Sequence, residues 1–146
     1  MSSEVWGGDG VVLADTSAWI VARRAPRARA LFLSAVERAD VAWCWPVRYE
    51  LMIDARGIES ISALDRILER LREVAVDRSV QRGVLAAMRE LAGGGSHGSH
   101  RFPLTDLTVA VAAQQSGLTV LHHDRHFERL ADLLGVNHRW ISEPTD

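Results

Sequence analysis

Residues 13–19 read LADTSAW. Just before and within this stretch, Val11, Val12, Leu13 and Ala14 form a short apolar run, the pattern of a strand buried on both faces. The run stops at Asp15, passes through Thr16 and Ser17, and then turns amphipathic. A carboxylate at the tip of a first core strand has two explanations. It caps the next helix, or it is one of several acids that the sheet collects at one edge to hold a metal ion.

The chain has 146 residues, 47% hydrophobic and 25% charged. That balance suits a globular domain with its own core. Residues 1–10, MSSEVWGGDG, read as a flexible N-terminal leader, and residues 11–146 as a single domain. The leader lacks the basic and apolar regions of a secretory signal, and no apolar run approaches the ~20 residues of a membrane span. Cys44 is the single cysteine, so no internal disulfide forms, which fits a reducing cytoplasm. It lies in the apolar run VAWCWP and reads as a buried, inert thiol. Net charge is −2, which gives no overall cationic field for nucleic acid. All 17 basic residues are arginine. Without lysine there is no Schiff-base chemistry, no P-loop and no lysine-dependent phospho-receiver site.

Apolar, strand-like runs recur at 41–45, 73–76, 118–122 and 136–141, with helical periodicity between them over 27–39, 59–71 and 79–91. Pro46 suits the first turn of a helix that passes through Glu50 to about Ala55. Residues 105–116 are apolar almost all round, so that helix is expected to be deeply buried. Strands alternating with helices predict a parallel sheet covered on both faces. The segment AGGGSHGSHRFP, 92–103, is the one loop-like break.

Open parallel sheets bind ligands beyond the carboxyl ends of their strands. Asp15 ends the first strand, Glu50 lies one turn into the helix after the second, Asp106 opens the buried helix and Asp124 follows the strand LTVLHH. Taken singly, Asp15 and Asp106 have an ordinary explanation, since acids favour helix N-termini. Glu50 is harder to explain, because a half-buried carboxylate among Val47, Leu51 and Met52 calls for a neutralising partner. Asp54, four residues on, reads as a solvent-facing acid. Four oxygen donors of this kind select Mg²⁺ or Mn²⁺, ions suited to phosphoryl chemistry. The rival constellation is histidine: His122, His123 and His126, with His97 and His100 in the loop. No HExxH or CxxC pattern accompanies them, so structural or solvent-facing roles are expected, with His123 or His126 within reach of a bound phosphate.

The ordered set LADTSAW, PVRYELM and RFPLTDLTVAVAAQQSGLTVLHHDRHFERLA resembles PIN-domain ribonucleases of the VapC toxin type from Val11 to about Ile141. The resemblance implies a small three-layer α/β/α sandwich with a parallel sheet. It carries an acidic, metal-binding catalytic site onto Asp15, Glu50, Asp106 and Asp124, with Ser17 steadying the first acid and Thr16 between them. Similar proteins read H-Y-D-R-D-F at the fourth acid. Here the stretch is HHDRHF, so His123 replaces Tyr and His126 replaces Asp. The implied protein is an Mg²⁺- or Mn²⁺-dependent endoribonuclease toxin, a homodimer neutralised by a small VapB-like antitoxin, with Arg101 and His123 as possible RNA contacts. The alternative is a catalytically silent PIN-like module that binds RNA or a partner. Trp19, Phe32 and Leu33 are open to two readings, as core residues or as an exposed partner surface.

Overall fold

A computed structural model of the chain describes residues 10–94 and 98–144. Residues 1–9 of the expected leader, and His97, lie outside the described residues. The order of elements is β1 (Val12–Ala14), α1 (Thr16–Arg24), α2 (Pro26–Glu37), β2 (Val41–Trp43), α3 (Trp45–Asp54), α4 (Ile58–Leu68), β3 (Arg72–Glu73), α5 (Arg78–Gly94), α6 (Leu104–Ser116), β4 (Thr119–His122), α7 (His126–Leu134) and β5 (His138–Trp140). All four strand pairings are parallel, in the order β3-β2-β1-β4-β5. The expected parallel α/β sandwich is therefore present, with β1 at its centre.

The strand order follows from burial. Val12, Leu13 and Ala14 point alternately to the two faces of the sheet, yet all three are buried. Only a central strand with helices on both faces meets that condition. β3 sits at an edge and covers Arg72–Glu73, two exposed residues, rather than the expected apolar run 73–76, because an edge strand is held by its backbone pairing to β2 and need not bury its side chains. From β1 the chain builds outward through β2 and β3, then crosses to the other side of β1 for β4 and β5. The crevice beyond β1 and β4 is the switch in strand order where such sheets bind ligands.

α6 lies against α5, α7 and β4. Eight consecutive residues, Asp106 to Ala113, are buried, as its near-uniform apolarity predicted. Gly117 (φ +67°) and Gly135 (φ +74°) take the left-handed conformation that ends α6 and α7. α5 runs on to Gly94, into the segment read as loop. The helical period of 79–91 simply continues for three residues there, despite the glycines. Trp19 and Phe32 settle into the core with their rings edge to face at 4.8 Å, whereas Leu33 is exposed.

The contact between α5 and α6 depends on Gly83. A Cβ at that position would lie 2.6 Å from Val111 Cγ1 and 2.8 Å from Gln115 Nε2. Gly83→Val should therefore destabilise the protein by about 1–3 kcal/mol through overpacking, despite the loss of a helix-interior glycine. Urea denaturation should show a lower midpoint at an unchanged slope.

Candidate metal and nuclease site

Asp15 arrives at the crevice because β1 ends there. Its backbone N–H donates to Leu121 O in β4 at 2.9 Å, which continues the ladder one residue past the strand. Its side chain then caps α1: Oδ2 accepts from Ser17 N at 3.0 Å and from Ser17 Oγ at 2.6 Å. The capping explanation is thus correct, and it does not compete with a place in the site. Ser17 Oγ also accepts from His123 N at 2.9 Å. One hydroxyl so joins the exit of β1 to the exit of β4.

Glu50 reaches the same place from α3. Pro46 in the first turn starts that helix, and Val47 and Leu51 fix its buried face. Thr16 Oγ1 donates to Glu50 Oε1 at 2.5 Å. Thr16 and Ser17, neighbours in sequence, thus each hold a different acid. Asp54 is outside the site. It is exposed and pairs with Arg23 at 2.9 Å, in line with the solvent-facing reading.

Asp106 enters in the first turn of α6, with an exposure of 7% against 4% for Asp15. Burial raises the pKa of both. Asp15 is pushed up to about 6, by burial first; the Ser17 hydrogen bonds oppose the rise, and the charges of Asp106 and Glu50 add to it. For Asp106 burial again dominates. The hydrogen bond from His126 pulls back, while Asp124 and Glu50 push further up. Repulsion thus couples Asp15 to Asp106 and Glu50, and Asp106 to Asp124 and Glu50; among the described residues, the ligand atoms that converge within 4.8 Å are those of Asp106, Asp124 and His126, without Asp15 or Glu50. Among the described residues, the hydrogen-bond partners of Asp15, Glu50 and Asp106 are hydroxyls, one amide and one imidazole, with no arginine.

The histidines divide. His122 is fully buried, packed on Phe127 and Trp140, and burial drops its pKa to about 3. Its Nδ1 accepts from Asp124 N at 3.1 Å, so the neutral ring carries its proton on Nε2 and donates it to His138 Nδ1 at 2.8 Å. His122 is thus structural, as expected, and it braces the loop that holds Asp124. His123 Nδ1 lies 3.3 Å from Ser142 Oγ. His126 departs from the expected structural or solvent-facing role. Its Nδ1 lies 2.5 Å from Asp106 Oδ2 and 3.5 Å from Asp124 Oδ1. The one signal that could have found it is its position in HHDRHF, where the resemblance sets a second Asp. Arg101 is exposed at the end of the 98–100 turn.

These donors fit a hard divalent cation. Two buried acids, one of them paired only with an imidazole, beside two further acids form a set that needs positive charge. Cys44 is buried with its thiol pushed up to about 12, so it supplies no thiolate.

The shifted acid gives a pH-dependent prediction. Burial pushes Asp15 from its ordinary value of 3.8 up to about 6, so the folded state holds more protons between those values and stability falls as pH rises through that window. In metal-free buffer Asp15→Asn, which keeps an oxygen for the Ser17 hydrogen bonds, should be more stable than the parent at pH 7 by about 2–3 kcal/mol. The gap should close near pH 4, as measured by denaturation at the two pH values.

Comparison with known proteins agrees with this geometry. The sequence model of the PIN domain matches residues 12–133. Ribonuclease VapC18 of Mycobacterium tuberculosis is 31% identical over 131 residues, which cover 90% of this chain and 95% of that protein. VapBC-1 from nontypeable Haemophilus influenzae shares the fold with a TM-score of 0.70 at 17% identity, over 91% of this chain and 99% of that one. A toxin-antitoxin complex from Klebsiella pneumoniae does so with a TM-score of 0.67 at 16% identity, over 90% and 98%. With the family model matched over 12–133 and this coverage of a relative at 31% identity, the chain belongs to the PIN-domain family, in the group that includes the VapC ribonucleases.

Proposed function

We propose that the chain is an endoribonuclease toxin that works with Mg²⁺ or Mn²⁺ and is held inactive by a small antitoxin. The observation that carries this reading is the pair of buried acids, Asp15 and Asp106, beside Glu50 and Asp124 at the switch in strand order. A silent binding module would keep the destabilising burial of these charges and gain nothing from it. RNA as substrate, and an antitoxin as partner, are supported by the ribonuclease and the toxin–antitoxin complex among the relatives.

In this reading Asp15, Glu50, Asp106 and Asp124 hold the cation. When bound, the ion lowers the pKa of a water and offsets the charge that builds on phosphate oxygens. Ser17 keeps Asp15 in one rotamer and locks it to the β4 loop, and Thr16 does the same for Glu50. The Cys44 thiol is buried and pushed up to about 12, so it does not serve as a nucleophile towards the phosphodiester. Arg101 is exposed beside the loop and is suited to grip a phosphate. Single-stranded or looped RNA fits best, because unpaired bases can be read by loops.

Mapping the ends of cleaved RNA tests this reading. The wild type with Mg²⁺ or Mn²⁺ should leave 5′-phosphates, and Asp106→Asn should lose at least about 100-fold in rate while remaining folded. Chelation should stop cleavage, and co-expressed antitoxin should relieve growth arrest. Chelator-resistant cleavage that leaves 2′,3′-cyclic phosphate would overturn the reading.

The homodimer belongs to the same proposal. Trp45, Tyr49 and Ile53 are exposed at 53%, 57% and 66% and stand on one stripe of α3. Exposed apolar stripes of this kind suit self-association. The purified chain should elute as a dimer, and Tyr49→Arg should shift it towards monomer in light-scattering measurements.

A further inference from the structure

One imidazole changes which ions an acidic site prefers, and His126 brings one here. We infer that His126 Nδ1 acts with Asp106 and Asp124 as a nitrogen donor to the divalent cation, so that this site takes Mn²⁺ in preference to Mg²⁺. The inference rests on the metal-dependent reading above and refines it to a ligand set and an ion class.

Geometry carries the first part. One ligand atom from each of Asp106, Asp124 and His126 lies within 4.8 Å of the others. An ion with bonds of about 2.1 Å sets neighbouring donors about 3 Å apart, and His126 Nδ1 stands 2.5 Å from Asp106 Oδ2 and 3.5 Å from Asp124 Oδ1, on either side of that spacing. The closest pair, His126 Nδ1 and Asp106 Oδ2, stands at hydrogen-bond distance, 2.5 Å. A cation between them would open the pair by about half an ångström, a side-chain adjustment.

The ring is also aimed. The His126 backbone N–H donates to Asp124 Oδ1 at 2.9 Å, which ties the start of α7 to the acid. Phe102 packs edge to face on the imidazole at 5.6 Å. The same nitrogen therefore faces both carboxylates, without a search through rotamers. Its side chain keeps 39% of its surface exposed, and that of Asp124 keeps 36%, so the cluster is open on one side, as a site that admits substrate must be.

The neighbouring histidines do not share this position. Both His122 nitrogens are already engaged, by Asp124 N and by His138 Nδ1. His123 turns its Nδ1 to Ser142. Donor chemistry gives the ion class. Mg²⁺ takes oxygen ligands almost exclusively, while affinity for imidazole rises along the first-row metals from Mn²⁺ onward. Exchanging one carboxylate for imidazole moves the preference away from Mg²⁺.

Mn²⁺ binding to the full-length chain, read by electron paramagnetic resonance, tests the inference independently of RNA cleavage. Titration gives the affinity, competition with Mg²⁺ gives the preference, and pulsed measurements detect ¹⁴N coupled to the ion. The wild type should bind Mn²⁺ more tightly than Mg²⁺ and show one imidazole nitrogen. His126→Asp should still bind Mn²⁺, lose the nitrogen signal and lower the Mn²⁺-over-Mg²⁺ preference about tenfold. His126→Gln, which preserves the side chain's polarity without an imidazole, should lose the same signal and serves if His126→Asp does not fold. Mn²⁺ bound to the wild type without nitrogen coupling, or coupling that survives in these variants, would overturn the assignment while leaving the metal-dependent reading intact. No Mn²⁺ binding by the wild type at all would overturn both.

Discussion

Two buried carboxylates at one edge of a sheet, Asp15 and Asp106, oppose folding, and the rest of the site is arranged around that cost. Asp15 is pushed up to about 6 mainly by burial, and the acids around it add to the rise. Such a group is tolerated where surrounding dipoles and hydrogen bonds are already in place. Ser17 donates twice to Asp15, at 2.6 and 3.0 Å, and its hydroxyl is itself fixed by His123 N. Removing that hydroxyl would loosen the acid and the β4 loop together.

The fold brings the acids together by ending strands and starting helices in one place. β1 stops at Asp15 and β4 stops just short of Asp124, and these strands are direct neighbours, with Ala14 paired to Leu121. α6 starts two residues before Asp106, and α3 brings in Glu50 one turn after its start. Each of these segments is rigid for an ordinary reason: a fully buried strand, a proline in the first turn, an apolar helix packed on several sides. The acids are mounted on that scaffold, which lets a polar site of this density hold its geometry.

Histidine gives the site its individual character. His122 and His126 are four residues apart and do opposite things. The first is a neutral core residue whose tautomer is set by the Asp124 amide and by His138. The second is half-exposed and faces two acids. Strand geometry separates them: His122 is the last residue of β4 and points into the packed interior, while His126 is the first residue of α7, where the chain has turned back over the crevice.

Much of this protein was legible in the sequence. Apolar runs marked the strands except β3, whose Arg72 and Glu73 are exposed at the sheet edge; the uniform apolarity of 105–116 marked the buried helix, and the ordered motifs marked the family. Periodicity and burial depend on local composition, and local composition is what a sequence displays. Three things were decided by the tertiary structure alone. Trp19 and Phe32 became core while Leu33 did not, because that depends on which face of a helix meets the sheet. Thr16, whose place between Asp15 and Ser17 suggested no partner of its own, holds Glu50 across 34 positions of sequence. His126 lies against Asp106, twenty residues away, because α7 folds back over the start of α6. Contacts of this kind join residues that are distant along the chain, and the fold has to close before they exist.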